Sequence, residues 1–270
     1  MRVAAIQMNS GADVAANLKL ADKLLGDAAD DGCELAVLPE NFPLMPERGR
    51  DKAKVSEEPG EGPIQTFLSE ASQRHGLWII AGSMPLNSPE IDAQRVFGAC
   101  PVYDANGDVQ AIYRKIHLFD VDLVDEQESY RESRSMVPGD DVVTVDTPCG
   151  RVGLTICYDL RFPELFRQLV DRGATLFTVP AAFTAATGEA HWHTLLRARA
   201  IENLAYVVAS GRYGEHPDRR STYGHSLIID PWGRILAEAG DGNCHVAADI
   251  DPELPAKLRS EFPALANRRL

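Results

Sequence analysis

Short apolar runs and amphipathic stretches alternate along the first half of the chain. The runs are rich in Val, Ile, Leu and Ala, which is typical of strands, whereas the stretches repeat apolar residues at helical spacing. Helices are predicted over 17–29 and 64–75, and strands over 3–8, 34–38, 77–81, 95–103 and 109–113. Asp104-Ala105-Asn106-Gly107-Asp108 separates the last two strands, and Asn-Gly in that place favours a hairpin.

The second half repeats this order. Helices are predicted over 163–171 and 191–204, and strands over 152–156, 175–179, 206–209, 226–230 and 234–237. Pro231-Trp232-Gly233 turns the final pair into a hairpin. The chain is therefore predicted to form one domain over 1–270, an α/β fold built as a four-layer α-β-β-α sandwich of two pseudo-symmetric halves.

Two polar segments interrupt the pattern. The stretch 119–141 is acidic and shows no periodicity, and the stretch 212–223 is basic and rich in turn residues. Long segments without regular structure are uncommon in compact domains unless they are functional loops or disordered. The 119–141 stretch is therefore predicted to be a loop, either solvated at the surface or closing over a binding site.

Composition and charge narrow the classes of function. The 270 residues are 44% hydrophobic and 25% charged, which is ordinary for a globular protein with a sizeable core. The 27 basic and 40 acidic residues give a net charge of −13, which disfavours nucleic acid and anionic membranes as partners. The first residues lack the pattern of a signal peptide, so a cytoplasmic location is expected.

The five cysteines form no C-x-x-C pair, which favours reduced thiols over disulfides. Cys157 differs from the others because it ends an apolar strand and precedes a predicted helix, whose N-terminus lowers the pKa of a nearby thiol. The alternative for Cys157 is a buried inert thiol, the common fate of a free cysteine. For Cys33, Cys100, Cys149 and Cys244 the inert interpretation is favoured.

Two charged residues also follow strand-like runs, Glu40 after 34–38 and Lys115 after 109–113. Reactive groups of α/β proteins gather at the carboxyl ends of strands. A thiol that attacks an amide needs a base for its proton, a positive charge for the oxyanion and an acid for the departing amine. Glu40 can transfer protons and Lys115 can supply the charge, although each alone is more typical of a solvated surface.

The segments around these residues resemble the three catalytic motifs of the carbon–nitrogen hydrolase (nitrilase) superfamily. The motifs are Leu38-Pro39-Glu40-Asn41-Phe42, Tyr113-Arg114-Lys115-Ile116-His117-Leu118-Phe119-Asp120 and Ile156-Cys157-Tyr158-Asp159-Leu160-Arg161-Phe162-Pro163-Glu164. Later segments extend the resemblance to the Nit branch of the superfamily over nearly the whole chain. The resemblance implies a Glu40–Lys115–Cys157 triad, with Glu132 as an auxiliary carboxylate and the backbone N–H of Tyr158 at the oxyanion.

The resemblance also implies the remaining features of such an enzyme. It implies an α-β-β-α sandwich that pairs with another subunit across a helical layer, so at least a homodimer is expected. The expected reaction passes through a cysteine thioester and requires no metal or organic cofactor. Burial is expected to raise the pKa of Glu40, so that it acts as a base near neutral pH while Lys115 stays charged.

The second-half segments bear on the amide substrate. The segment 182–192 resembles both the omega-amidases that cleave 2-oxoglutaramate and the deaminated-glutathione amidases, whereas 211–226 is more similar to the second group. Deaminated glutathione is therefore the expected substrate, with 2-oxoglutaramate as the alternative and a nitrile less favoured. Both amides carry a 2-oxo acid, whose carboxylate suits the fork of an arginine. The predicted substrate-binding residues are Arg161, Phe183, Thr187 and Arg212, with Arg219 and Arg220 as further candidates.

Other classes of function are weighed against this hypothesis. His191 and His193 lie about 200° apart on a helix and cannot share a metal ion, and Asp120 with Asp122 is weak evidence for a cation. A Cys–His–Asp hydrolase with His225 or His245 as base needs a glycine-flanked elbow, which Cys157 lacks. A non-catalytic scaffold is disfavoured because all three triad positions are filled.

Overall fold

A computed structural model describes residues 1–45, 49–87, 94–123, 128–216 and 220–269. The helices are α1 (Val14–Asp30), α2 (Pro63–His75), α3 (Pro163–Asp171), α4 (Ala185–Asn203) and α5 (Leu254–Glu261), and 3₁₀ helices lie at Gly49–Lys54, Glu132–Arg134 and Cys157–Arg161. The strands are β1 (Arg2–Gln7), β2 (Leu35–Val37), β3 (Trp78–Ile80), β4 (Met84–Leu86), β5 (Val96–Tyr103), β6 (Val109–Arg114), β7 (Asp120–Leu123), β8 (Glu128–Arg131), β9 (Met136–Val137), β10 (Thr144–Thr147), β11 (Gly150–Leu154), β12 (Leu176–Ala181), β13 (Tyr206–Gly211), β14 (Tyr213–Glu215), β15 (Ser221–Tyr223), β16 (Leu227–Ile229), β17 (Ile235–Glu238) and β18 (Cys244–Asp249).

Two sheets have the same parallel centre. The first has the order β18-β1-β2-β3-β5-β4, with β6 and β9 also pairing with β5, and its strands β1, β2 and β3 are parallel. The second has the order β10-β11-β12-β13-β16-β17, with β11, β12 and β13 parallel. Each centre is followed by antiparallel strands, as the repeated sequence pattern predicts. β18 returns from the end of the second half to pair antiparallel with β1.

The packing confirms the four layers. On β1, Val3 and Ala5 point into the core shared with the second sheet, whereas Ala4 and Ile6 point towards the helices of the first half. This alternation is the period-two pattern of a strand buried on both faces. The outer helices contribute one apolar face each, from α1 and α2 on the first sheet and from α3 and α4 on the second.

The helix ends follow from local sequence. Asp13 caps α1 by accepting a hydrogen bond from the N–H of Ala16 at 3.1 Å. Gly76 ends α2 in the left-handed conformation, which a residue without Cβ adopts at little cost. Thr184 caps α4, which therefore begins at Ala185, six residues before the predicted start at 191.

Two sequence-based expectations are wrong. The stretch 119–141 contains the β7–β8 hairpin, a 3₁₀ turn and β9, so its described part is not a structureless loop. The stretch 212–223 likewise contains the β14–β15 hairpin. Residues 124–127 and Arg219 lie outside the described residues. Among the described residues, no helix has the length and apolar character needed to span a membrane.

Candidate active site

A cavity of about 550 Å³ opens where strands of both sheets end. Glu40 follows β2, Lys115 follows β6 and Cys157 follows β11, so the fold brings together three side chains that are far apart in sequence. All three are buried. The sequence-predicted residues that line the cavity are Glu40, Lys115, Glu132, Cys157, Tyr158, Arg161, Phe183, Thr187 and Arg220.

The ammonium of Lys115 lies between two carboxylates. Lys115 Nζ donates to Glu40 Oε1 at 2.8 Å and to Glu132 Oε2 at 2.9 Å and Oε1 at 3.1 Å. Backbone donors fix both acids, because the N–H of Ala182 bonds Glu40 Oε2 at 3.0 Å and the N–H of Phe119 bonds Glu132 Oε2 at 2.7 Å. The lysine therefore has a single position relative to both acids.

Cys157 adopts a backbone conformation that is unusual for a residue with a Cβ. Its φ is +50°, in the left-handed region, and it starts the 3₁₀ helix Cys157–Arg161 shortly after β11 ends at Leu154. Such strain persists where the surroundings determine the position of a side chain. The N–H of Tyr158 lies in the first turn of this helix, where N–H groups have no acceptor within the helix.

Asp159 connects the lysine-bearing strand end to the turn that carries Cys157. The Asp159 side chain is fully buried and accepts from Tyr113 OH at 2.6 Å, from the N–H of Ile156 at 2.8 Å and from the N–H of His117 at 3.1 Å. The ring of His117 contributes a fourth contact, with Nδ1 2.7 Å from Asp159 Oδ1. These contacts fix the distance between the end of β6 and the 3₁₀ helix. The sequence indicates Asp159 only as a neighbour of Cys157.

The electrostatics of the three residues differ from the sequence-based expectation. Burial raises the pKa of Glu40, but the charge and hydrogen bond of Lys115, with a hydrogen bond from Cys157, outweigh burial and lower this pKa. The expectation that the pKa of Glu40 is raised is therefore wrong. Burial and the charge of Glu40 hold the pKa of Cys157 well above its usual value. The site thus rests with a neutral thiol beside an ionised glutamate.

Lys115 keeps its charge in the same dry environment. Burial lowers the pKa of Lys115, but the carboxylates of Glu132 and Glu40 outweigh burial and hold it well above the usual value. For the other buried cysteines, burial is the largest influence on the pKa. Burial raises the pKa of Cys33 to about 11 and those of Cys100 and Cys149 to about 12, which agrees with inert core thiols.

The structure divides the predicted substrate-binding residues into two groups. Arg161, Phe183 and Thr187 line the cavity, and the Arg161 guanidinium carbon lies 5.2 Å from the centre of the Phe183 ring. Arg220 also lines the cavity, 4.3 Å from the centre of the Tyr130 ring.

Arg212 forms the second group, because it is not among the described residues that line the cavity, and its predicted role in binding substrate stays a prediction. The side chain is fully buried and donates to the backbone oxygen of Asn41 at 3.1 Å and to that of Ser10. Arg212 therefore braces the loop that carries Glu40. Sequence alone cannot distinguish this role from substrate binding, because in both roles the guanidinium group of Arg212 donates hydrogen bonds to oxygen atoms.

Lys52 is a cavity residue that the sequence-based reasoning missed. It lies in the 3₁₀ helix Gly49–Lys54, and 8% of its surface is exposed. Burial lowers its pKa. The surrounding sequence is polar and lacks periodicity, so no pattern distinguishes Lys52 from the exposed Lys54.

Possible metal ligands lie outside the cavity lining. Among the described residues, His193, His225 and Glu238 form a group whose donor atoms approach within 4.8 Å. Glu238 Oε1 lies 2.8 Å from His193 Nε2 and 3.0 Å from His225 Nδ1, so hydrogen bonds already occupy these atoms. His245 lies 3.6 Å from Asp31. Neither histidine of the alternative Cys–His–Asp hypothesis is among the cavity residues.

Comparison with known proteins identifies the class. The model of the carbon-nitrogen hydrolase family matches residues 2–259, and the chain belongs to that family. It is accordingly a hydrolase of carbon–nitrogen bonds other than peptide bonds. Its fold is similar to the crystal structure of Saccharomyces cerevisiae Nit3, a member of the nitrilase superfamily, with a TM-score of 0.88 and 33% identity, covering 100% of this chain and 97% of that one.

Two of the curated relatives that match the chain are deaminated glutathione amidases. The chain is 39% identical over 267 residues to the deaminated glutathione amidase of Yersinia enterocolitica, covering 99% of this chain and 92% of the relative. It is 38% identical over 271 residues to the deaminated glutathione amidase of Homo sapiens, covering 99% and 82%.

Proposed function

We propose that this chain is an amidase that hydrolyses deaminated glutathione through a thioester on Cys157. The observation that carries the proposal is the ammonium of Lys115, bonded to both Glu40 and Glu132 in the cavity that Cys157 lines. That arrangement supplies an ionised base, a fixed positive charge and a thiol at one place. The names of the relatives support the choice of amide.

The first half of the reaction forms the thioester. Glu40 accepts the proton of the Cys157 thiol, and the sulfur attacks the amide carbonyl carbon. Lys115 and the N–H of Tyr158 stabilise the oxyanion of the tetrahedral intermediate. Glu40 then returns the proton to the nitrogen as the carbon–nitrogen bond breaks, so the amine departs neutral and the acyl group stays on sulfur.

The second half of the reaction restores the enzyme. Glu40 accepts a proton from a water molecule as its oxygen attacks the thioester carbon, with Glu132 as the auxiliary carboxylate. The carbon–sulfur bond then breaks, the proton returns to the Cys157 sulfur, and the acid product leaves. Each step uses a group of this chain, so the proposed reaction takes no metal or organic cofactor.

Charge supports an anionic substrate. The whole chain carries a net charge of −13, yet several basic side chains line this cavity beside its two acidic ones. These basic residues are Lys52, Lys115, Arg131, Arg134, Arg161 and Arg220. Deaminated glutathione has a carboxylate at each end, on its 2-oxo acid and on its leaving dipeptide, and this local charge favours both.

The test measures release of 2-oxoglutarate from deaminated glutathione and from 2-oxoglutaramate by the purified protein, with Cys157→Ala as control. We expect a much larger kcat/KM for deaminated glutathione. A preference for 2-oxoglutaramate would replace the proposed substrate with the omega-amidase one. Release from neither would overturn both substrate assignments.

The proposal includes a homodimer formed across the helical layer of the second half. Ile201 on α4, Trp232 and Phe262 are large apolar side chains exposed to solvent. The rings of Trp232 and Phe262 lie 5.9 Å apart, and Ile201 packs over Gly233, so the three form one patch. A contiguous apolar patch of this kind is typical of a protein interface. The cytoplasmic location remains a prediction, which suits an enzyme that needs a reduced thiol.

A further inference from the structure

Lys52 is a buried cation at the cavity wall whose charge lacks a close partner. Its ammonium makes a weak contact, 3.8 Å from the sulfur of Met136. Among the described residues, no carboxylate oxygen lies within 4.0 Å of the Lys52 ammonium, which is the limit for an ion pair. The neighbouring Lys54 is exposed and pairs with Asp51 at 2.7 Å. Burying a lysine without a counter-charge is costly, so the position of Lys52 indicates an anion that binds there.

The two nearby acids attract Lys52 but make their ion pairs with Lys115. Both Glu40 and Glu132 direct their carboxylates at Lys115, at 2.8 to 3.1 Å. The pKa values of the two lysines shift in opposite directions. Burial lowers the pKa of Lys52 despite the attraction of Glu132 and Glu40, whereas the same carboxylates raise the pKa of Lys115. The cavity lining therefore includes one ammonium, that of Lys115, paired with two carboxylates, and a second, that of Lys52, with no ion-pair partner among the described residues.

Packing fixes Lys52 in this position. A Cβ added to Gly49 would lie 3.0 Å from Ser135 Oγ, so the 3₁₀ helix of Lys52 packs closely on the turn after Glu132. Both Lys52 and Ser135 line the cavity with Cys157. The ammonium is thus held on the same wall as the auxiliary carboxylate, where it is available to substrate.

We propose that Lys52 binds the carboxylate of the 2-oxo acid that forms the acyl part of the substrate. This inference rests on the proposed function. The acyl part stays attached to Cys157 through both halves of the reaction, whereas the leaving amine departs to solvent. The buried ammonium of Lys52 suits the carboxylate of the acyl part, which stays in the cavity through both halves of the reaction. The half-buried Arg161 and Arg220 are placed for the carboxylate that leaves.

The test uses 2-oxoglutarate as a protecting ligand against alkylation of Cys157 by iodoacetamide, which is uncharged. We expect 2-oxoglutarate to slow alkylation of the wild-type enzyme. In Lys52→Met, alkylation without ligand keeps the wild-type rate, but protection requires about 10- to 100-fold more 2-oxoglutarate, as expected for loss of a charged hydrogen bond. With deaminated glutathione, Lys52→Met raises KM by a similar factor and changes kcat little.

Two variants separate charge from fold. Lys52→Arg keeps the positive charge and is expected to keep most of the protection. Lys54→Met removes the neighbouring exposed charge and is expected to leave protection and KM unchanged. If Lys52→Met does not fold, Lys52→Gln replaces it in the same measurements.

The outcomes distinguish the two proposals. Equal protection of wild type and Lys52→Met would overturn the role of Lys52 and leave the amidase proposal standing. A fall in kcat with unchanged KM would also overturn it, because that pattern indicates a structural effect on the reacting groups. If the wild type releases 2-oxoglutarate from neither amide and 2-oxoglutarate gives no protection, the proposed substrate fails and the inference fails with it.

Discussion

At the scale of single residues, the charge of Lys115 controls the pKa of Glu40. It pairs with Glu40 and Glu132 and lowers the pKa of Glu40 below its usual value. Cys157 stays protonated because burial and the charge of Glu40 raise its pKa. In the proposed reaction, the thiol proton is therefore still on Cys157 before the substrate binds.

The first prediction concerns the three reacting groups. Cys157→Ala, Glu40→Gln and Lys115→Met each remove one of these groups, and we expect kcat to fall by about 10³-fold or more in each. The fold should stay intact in Cys157→Ala and Glu40→Gln, because each change removes at most one heavy atom and introduces no charge. Circular dichroism and steady-state turnover check the two statements separately. Appreciable activity of Cys157→Ala would contradict the mechanism.

The second prediction concerns acid pH. The pKa of Glu40 is lower in the fold than its ordinary 4.5, so its ionised form contributes stability above that ordinary value, and this contribution is lost as pH falls through the lowered pKa. The same ionised form is the base of the proposed reaction. We therefore expect the acid limb of the kcat/KM profile to have a midpoint below 4.5. A midpoint near neutral pH would show that Lys115 does not control Glu40.

At the scale of elements, Asp159 fixes the strand end of Lys115 against the turn of Cys157. The third prediction is that Asp159→Ala lowers the free energy of unfolding by about 2 to 4 kcal/mol, because it leaves several buried donors unpaired. It should lower kcat more than it changes KM, since it shifts reacting groups. Tyr113→Phe removes one of these bonds, and its expected cost is about 1 kcal/mol. Denaturant unfolding and turnover of both variants provide the comparison.

The fourth prediction concerns the loop that carries Glu40. Gly82 has a φ of +62°, and a Cβ there would lie 2.1 Å from the backbone oxygen of Pro39. Gly82→Ala must therefore displace the loop, and we expect lower kcat together with a loss of stability above about 1 kcal/mol. Gly76 is a matched control, because its φ is +63° and nothing lies within 4 Å of an added Cβ. Gly76→Ala should lower stability and leave kcat unchanged.

The sequence predicts some elements of the fold and misses others. The predicted helix over 163–171 coincides with α3, because Pro163 starts it and an apolar face runs along it. The hairpins within 119–141 and 212–223 could not be predicted, since their pairing depends on neighbouring segments and not on periodicity. For the same reason β18 was missed, because its partner β1 is more than two hundred residues away.

Some features of the candidate site can be predicted from sequence, and others depend on tertiary packing. The sequence makes Glu40, Lys115 and Cys157 candidates because each follows an apolar strand, and the resemblance of their motifs to a known family implies the triad. Lys52 and the brace role of Arg212 depend on burial, which tertiary packing alone decides. The pKa of Glu40 depends on a 2.8 Å contact between residues 75 positions apart, which sequence cannot supply.

At the scale of the whole molecule, the fifth prediction concerns assembly. Trp232→Asp places a charge in the exposed patch with Ile201 and Phe262, and we expect it to convert a dimer to a monomer. Analytical ultracentrifugation of wild type and variant measures this directly. Val109→Asp changes another exposed apolar residue outside the patch and is expected to leave the dimer intact. A monomeric wild type would contradict the proposed interface.

Because β18 pairs with β1, the two sheets are completed in a fixed order during synthesis. The second sheet is made from strands between Thr144 and Glu238, all close in sequence. The first sheet keeps an open edge along β1 until Cys244–Asp249 has left the ribosome, and open edges invite pairing with other chains. The half that carries Glu40 and Lys115 is translated first but finished last. The first sheet of a nascent chain is therefore completed only after the second sheet has been made.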